Sequence, residues 1–239
     1  MSRRIRVIFF DAADTLFHVN GSVAEMYLRY AVEFGYQERP DSLLSITEAF
    51  KRAFRDAPPP VFAPSDPAQI KQSERLWWFD VVHNVFYRVG MFERFDEFFD
   101  RVFDVFAEPA SWQLYPDTVA ALTELRRGRI ELGIVSNFDS RLFAVLRGLE
   151  IAELFDTVTI SSLARAAKPS PKIFELALEK HAVDPDDAIH VGDSLRDDVE
   201  GATKAGLRAI LLAREGKPPV DGILTVRTLS ELVPLAISL

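Results

Sequence analysis

The chain has 239 residues, 48% of them hydrophobic and 27% charged, which is enough for one large core or for a core with an insertion. A formal net charge of −8 speaks against general binding to a phosphate backbone, so nucleic acid is not an expected partner. There is no cysteine, which excludes disulfides and thiolate nucleophiles or ligands; any metal falls to oxygen or imidazole donors, and carboxylate-bound Mg²⁺ is the natural candidate.

The first apolar run, Ile5 to Phe10, is too short for a membrane span and has no small-residue cleavage site, so RVIFF (6–10) reads as a strand. Cytoplasmic residence without a membrane partner is expected. From 18 to 113, apolar residues recur at helical spacing in 22–34, 42–56, 69–89 and 93–106, with no convincing strand. This predicts an all-helical insertion whose phenylalanines and Trp77–Trp78 pack a small bundle. The proline-rich 57–67 reads as a loop inside it. Strands at 130–136, 156–161, 187–192, 207–212 and 223–226 then alternate with helices at 117–127, 139–149, 171–181, 197–205 and 229–238. The expected fold is α/β, a doubly wound parallel sheet formed by 1–17 and 114–239, with the helical domain 18–113 inserted.

In such sheets, ligands bind beyond the carboxyl ends of the strands. Those ends carry Asp11, then Ser136-Asn137, then Gly192-Asp193-Ser194 with Asp197-Asp198 downstream; Lys168 follows the third core strand. Two carboxylates brought together repel unless a cation fills the gap, so Asp11 with Asp193 could seat Mg²⁺. Ser136, backbone N–H groups and Lys168 could then meet the oxygens of a phosphate-like substrate, a set suited to phosphoryl transfer. Each residue also has a plainer local reading. Ser136 and Asn137 could cap a helix near Asp139, Lys168 could be a solvated lysine, and Asp197 or Asp198 could be acids favoured in a first helical turn.

The order Asp11…Thr15, Ser136-Asn137, Lys168, Gly192-Asp193 resembles the haloacid dehalogenase superfamily, and the helical insertion directly after the first motif resembles its C1 cap. DAADTLF, LWWFDVVHNVF, IVSNFDSRL and KPSPKIF are most similar to the group called haloacid dehalogenase-like hydrolase domain-containing protein 3. The resemblance implies a Rossmann-like core in which Asp11 is the nucleophile, forming an aspartyl-phosphate that water cleaves. It implies Mg²⁺ held by Asp11, the backbone carbonyl of Ala13 and Asp193, with Asp198 nearby or bound through water. Ser136 and Asn137 would hold the transferred group, Lys168 would neutralise charge and orient Asp11, and the cap would select a small phosphorylated substrate. A monomer or homodimer is expected.

One departure stands out. Most phosphatases of the superfamily place a second Asp, the general acid and base, two residues after the nucleophile; here that position is Ala13, and Asp14 stands where glycine is usual. Loss of such a group typically removes ~10²–10⁴-fold of rate. The resemblance therefore leaves open a slow phosphatase, a dehalogenase- or phosphonatase-like hydrolase, the latter needing Lys51 or Lys71 in the cleft, and a non-catalytic metal- and phosphate-binding module.

Overall fold

The computed structural model describes residues 5–63, 66–214 and 220–238. The first strand, β1 (Val7–Phe10), is buried along its whole length. Its neighbours on both sides are parallel, so it faces no solvent and reads as a continuous apolar run. Ile8 and Phe10 join one apolar cluster and Val7 and Phe9 another, following the two-residue period of a strand between two layers.

After β1 the chain makes a short strand, β2 (Phe17–Val19), and enters four helices, α1 (Val23–Glu33), α2 (Ser42–Asp56), α3 (Pro67–Val89) and α4 (Phe95–Val105). Ser22 caps α1, and Asp66 caps α3 just before Pro67, a residue whose fixed φ suits a first turn. These helices enclose their own apolar cluster, with Tyr27, Phe86, Phe98 and Phe99 at its centre. The chain returns through β3 (Trp112–Leu114), antiparallel to β2. The expectation of no strand within 18–113 is corrected by this ladder, whose strands are three residues each and too short to show an alternating pattern.

The remainder alternates: α5 (Thr118–Arg127), β4 (Glu131–Ser136), α6 (Leu142–Gly148), β5 (Thr157–Ile160), α7 (Ser161–Ala164), α8 (Pro171–His181), β6 (Ala188–Gly192), α9 (Gly201–Lys204), β7 (Arg208–Leu212), β8 (Thr225–Val226) and α10 (Leu229–Ser238). All six core strands are parallel, in the order β5-β4-β1-β6-β7-β8. This is the Rossmann-like doubly wound arrangement. The strand order reverses between β1 and β6, so the crevice at their carboxyl ends is where such a sheet receives ligands.

Two helix expectations change. The helix placed at 139–149 starts only at Leu142, because Asp139 turns its carboxylate onto the Arg141 backbone N–H. The helix placed at 197–205 is a π-helical turn over Leu195–Glu200 running into α9, a wide turn often found at functional sites.

Candidate active site

Asp11 follows β1 directly, and its backbone N–H donates to the Val191 carbonyl of β6 (2.9 Å), which fixes it at the switch point. The next residues close into a tight loop, in which the Leu16 N–H reaches the Ala12 carbonyl (2.8 Å) and the Asp14 N–H reaches the Phe17 carbonyl (2.7 Å). Asp14 has φ of 60°, the left-handed region that explains why glycine suits this place and that Asp tolerates better than most residues. Its side chain is exposed near Tyr115, while Ala13 is half-buried and brings no acid to the cleft. Arg214, stacked 3.5 Å from the Tyr115 ring, donates to the Thr15 carbonyl (2.7 Å) and pairs with Asp117, so the loop is buttressed from β7 and α5.

Lys168 is the centre of the charged cluster. Its side chain is 3% exposed and its ammonium lies 2.7 Å from Asp11 and 2.6 Å from Asp198. The solvated-surface reading of this lysine is therefore wrong. Burial alone pushes the ammonium towards neutrality, but the two carboxylates more than reverse this, so Lys168 stays charged with a raised pKa. Burial pushes the Asp11 carboxyl up, and Lys168 only partly offsets it beside the Asp198 charge. Burial acts on Asp198 in the same direction, but Lys168 and then His190 overcome it and hold this carboxyl well below the usual range. The ammonium is thus shared unequally because Asp198 has further donors.

Those donors explain the turn after β6. Asp198 Oδ1 takes Lys168 and the His190 imidazole Nε2 (2.8 Å), and Oδ2 accepts the Ser194 N–H (2.9 Å). Ser194 Oγ accepts the Asp197 N–H in return (3.1 Å), a reciprocal capping arrangement. Gly192 makes room, since a Cβ there would stand 2.2 Å from the Asp198 carboxyl carbon. His190 is fully buried, with desolvation pressing its pKa below 6.5, so it is neutral and donates Nε2–H. His190 escaped the sequence reading; the signal was a lone polar residue inside the otherwise apolar AIHVG.

Carboxylate oxygens of Asp11, Asp193 and Asp198 lie within 4.8 Å of one another. This all-oxygen carboxylate set, with Lys168 bridging Asp11 and Asp198, fits a hard dication such as Mg²⁺. Asp197 stands outside the group, half-buried, with desolvation raising its carboxyl.

Ser136 ends β4 and is buried. Asn137 differs from expectation. Its amide Nδ2 donates to the Lys168 carbonyl (2.9 Å) and its Oδ1 accepts the Lys168 N–H (2.7 Å), so this side chain holds Lys168 in place rather than pointing at a transferred group. Neither residue caps α6, whose first turn has no side-chain cap. Trp78 likewise exceeds its expected packing role: its indole donates to Asp139 (2.6 Å) in the loop after Asn137. Lys51 and Lys71 are both exposed.

A Rossmann-like parallel sheet with a lysine-bridged carboxylate cluster at its switch point defines a hydrolase of the haloacid dehalogenase-like class. A family model described as haloacid dehalogenase-like hydrolase matches residues 5–206, and the chain belongs to that family. The mouse haloacid dehalogenase-like hydrolase domain-containing protein 3 is 32% identical over 220 residues, covering 91% of this chain and 85% of the relative. The human protein of the same name is 31% identical, covering 87% and 82%. Among solved structures, the haloacid dehalogenase-type phosphatase of Thermococcus onnurineus superposes with a TM-score of 0.61 at 25% identity, over 97% of both chains. A structure described as a dehalogenase gives 0.72 at 23%, over 97% and 96%, a likeness of fold. Among the described residues, no helix is long and apolar enough to cross a membrane.

Proposed function

We propose that the protein is a Mg²⁺-dependent phosphatase acting on a small phosphorylated metabolite through an aspartyl-phosphate on Asp11, with slow turnover because position 13 is alanine. The observation that carries this reading is the Asp11–Lys168–Asp198 bridge beside Asp193, at the switch point of the sheet. Asp11, Asp193, Asp198 and the Ala13 carbonyl would hold the metal, which supplies charge neutralisation for phosphoryl oxygens. Helices α1–α4 serve as the cap.

An Asp11 carboxylate oxygen attacks phosphorus, forming the acyl-phosphate bond as the bond to the leaving oxygen breaks. Lys168 works against the effect of burial on the attacking carboxylate and aims it, and Asn137 fixes Lys168 through its backbone. Ser136 and neighbouring backbone N–H groups hold the transferred oxygens. The leaving alkoxide then needs a proton, and the water that cleaves the acyl-phosphate must lose one; Ala13 can do neither, so both fall to solvent or substrate. A C–X hydrolase needs no such acid, but the cation-seeking acidic cluster favours phosphate chemistry. A lysine Schiff base finds no support in the exposed Lys51 and Lys71.

The test is phosphate release from a broad panel of phosphomonoesters with Mg²⁺. Release that needs Mg²⁺ and disappears in Asp11→Asn supports the reading; release unaffected by that change, or a folded protein that turns over haloacids only, overturns it.

A further inference from the structure

We propose that Glu74 and Trp78, both on α3, are positioning residues for the loop that carries Ser136 and Asn137, acting through Asp139, Ser140 and Arg141; this rests on the reading of that loop as the holder of the transferred group. The two residues stand four apart and share one helix face. Glu74 is only 2% exposed, an expensive place for a carboxylate unless something holds it. It accepts both the Ser140 backbone N–H (2.9 Å) and the Ser140 hydroxyl (2.5 Å). Trp78 donates its indole N–H to Asp139 Oδ2 (2.6 Å). Asp139, 4% exposed, also takes the Arg141 guanidinium on both oxygens, at 2.9 and 2.6 Å. Arg141 then donates to the Phe103 carbonyl of α4 (2.9 Å), and its guanidinium lies 4.0 Å from the Phe103 ring centre.

Three consecutive residues of the loop are thus bonded to two helices of the insertion. The helices and the sheet bury separate apolar clusters, and beside the Phe106–Trp112–Phe138 ring contacts the bonds from Glu74, Trp78 and Arg141 form a polar latch between the two. Water can replace each of its hydrogen bonds when α3 moves off, which an apolar seam would not allow as cheaply. The same loop begins at Asn137, whose amide clamps the Lys168 backbone, and Lys168 holds Asp11. These bonds, joined by the short backbone from Asn137 to Asp139, connect the seating of α3 to the placement of the transferred-group loop and the nucleophile. By linkage, whatever orders one end favours the other.

Hydrogen exchange of the full-length protein tests this without any ligand. Exchange in the segment 136–140 is expected to rise about tenfold in Glu74→Ala and in Trp78→Phe, since each loses a hydrogen bond to a charged group. Glu74→Gln, which can still accept the Ser140 N–H, should stay near wild type. Val85→Ala, a bundle-core change away from the latch, should lower Tm without raising exchange at 136–140. Unchanged exchange there in folded Trp78→Phe and Glu74→Ala, or an equal rise in Val85→Ala, overturns the proposal. With Mg²⁺ and inorganic phosphate as the probe, Trp78→Phe should weaken phosphate about tenfold while Mg²⁺ affinity alone stays within about twofold; a phosphate affinity equal to wild type also overturns it. If the wild type binds no phosphate, the functional reading fails by itself, and the exchange result still decides the coupling.

Discussion

Replacing Lys168 with methionine keeps much of the side-chain volume but removes the ammonium that bridges Asp11 and Asp198, at 2.7 and 2.6 Å. Taking one partner from a buried ion pair typically costs about 3–5 kcal/mol, because the remaining charge stays buried and unpaired. For a chain of 239 residues, each kcal/mol moves Tm by roughly 2–4 °C, so a fall of about 10 °C is expected near pH 8. The sign of the pH dependence follows from the carboxyls. Asp11 already lies above 3.8 in the fold, and without Lys168 both Asp11 and Asp198 move up. A carboxyl raised above its unfolded value destabilises fully above its folded pKa and progressively less as pH falls towards the unfolded value. The gap in Tm between wild type and variant should therefore narrow as pH drops from about 8 to about 5. Adding Mg²⁺ at pH 8 should raise the variant's Tm more than the wild type's, since a dication can replace the lost ammonium. Thermal unfolding followed by circular dichroism reads all three effects. A gap under about 1 kcal/mol, or one that widens on acidification, would refute the charge balance drawn for this cluster.

Ala13→Asp should raise phosphate release by up to ~10²-fold by restoring an acid and base; an unchanged rate in a folded variant argues that position 13 does not limit turnover. Gly192→Ala forces a Cβ against the Asp198 carboxyl, 2.2 Å from its carbon, so Mg²⁺ affinity measured by calorimetry should fall at least about tenfold; an unchanged affinity would remove Asp198 from the metal site. His190→Phe leaves Asp198 with one donor fewer and should cost about 1–3 kcal/mol in urea unfolding, whereas a neutral result would show that the imidazole bond contributes nothing net.

Much of the core was legible because its signals are local. A fully apolar strand ending on Asp11, and acids or donors closing the later strands, follow from the parallel-sheet pattern, and the structure brings Asp11, Asp193 and Asp198 together with Lys168. What escaped depends on contacts across the chain. The Asn137 amide is spent on a backbone thirty-one residues away, and nothing in SNF marks that. His190 looked like one polar residue in a strand until Asp198 came to meet it. Glu74 and Trp78 lie on a helix whose spacing predicts packing alone, and their partners arrive sixty-six and sixty-one residues later. The three-residue strands β2 and β3 are too short to leave a period at all.

The central claim is covalent catalysis by Asp11, and the direct measurement is acid quenching during turnover of a phosphomonoester with Mg²⁺, followed by peptide mapping by mass spectrometry. With Ala13 unable to activate the hydrolytic water, the aspartyl-phosphate should accumulate on the peptide that contains Asp11 and diminish in Ala13→Asp. Turnover with no phosphoryl group on that peptide, and with Asp11→Asn as active as the wild type, would contradict the account.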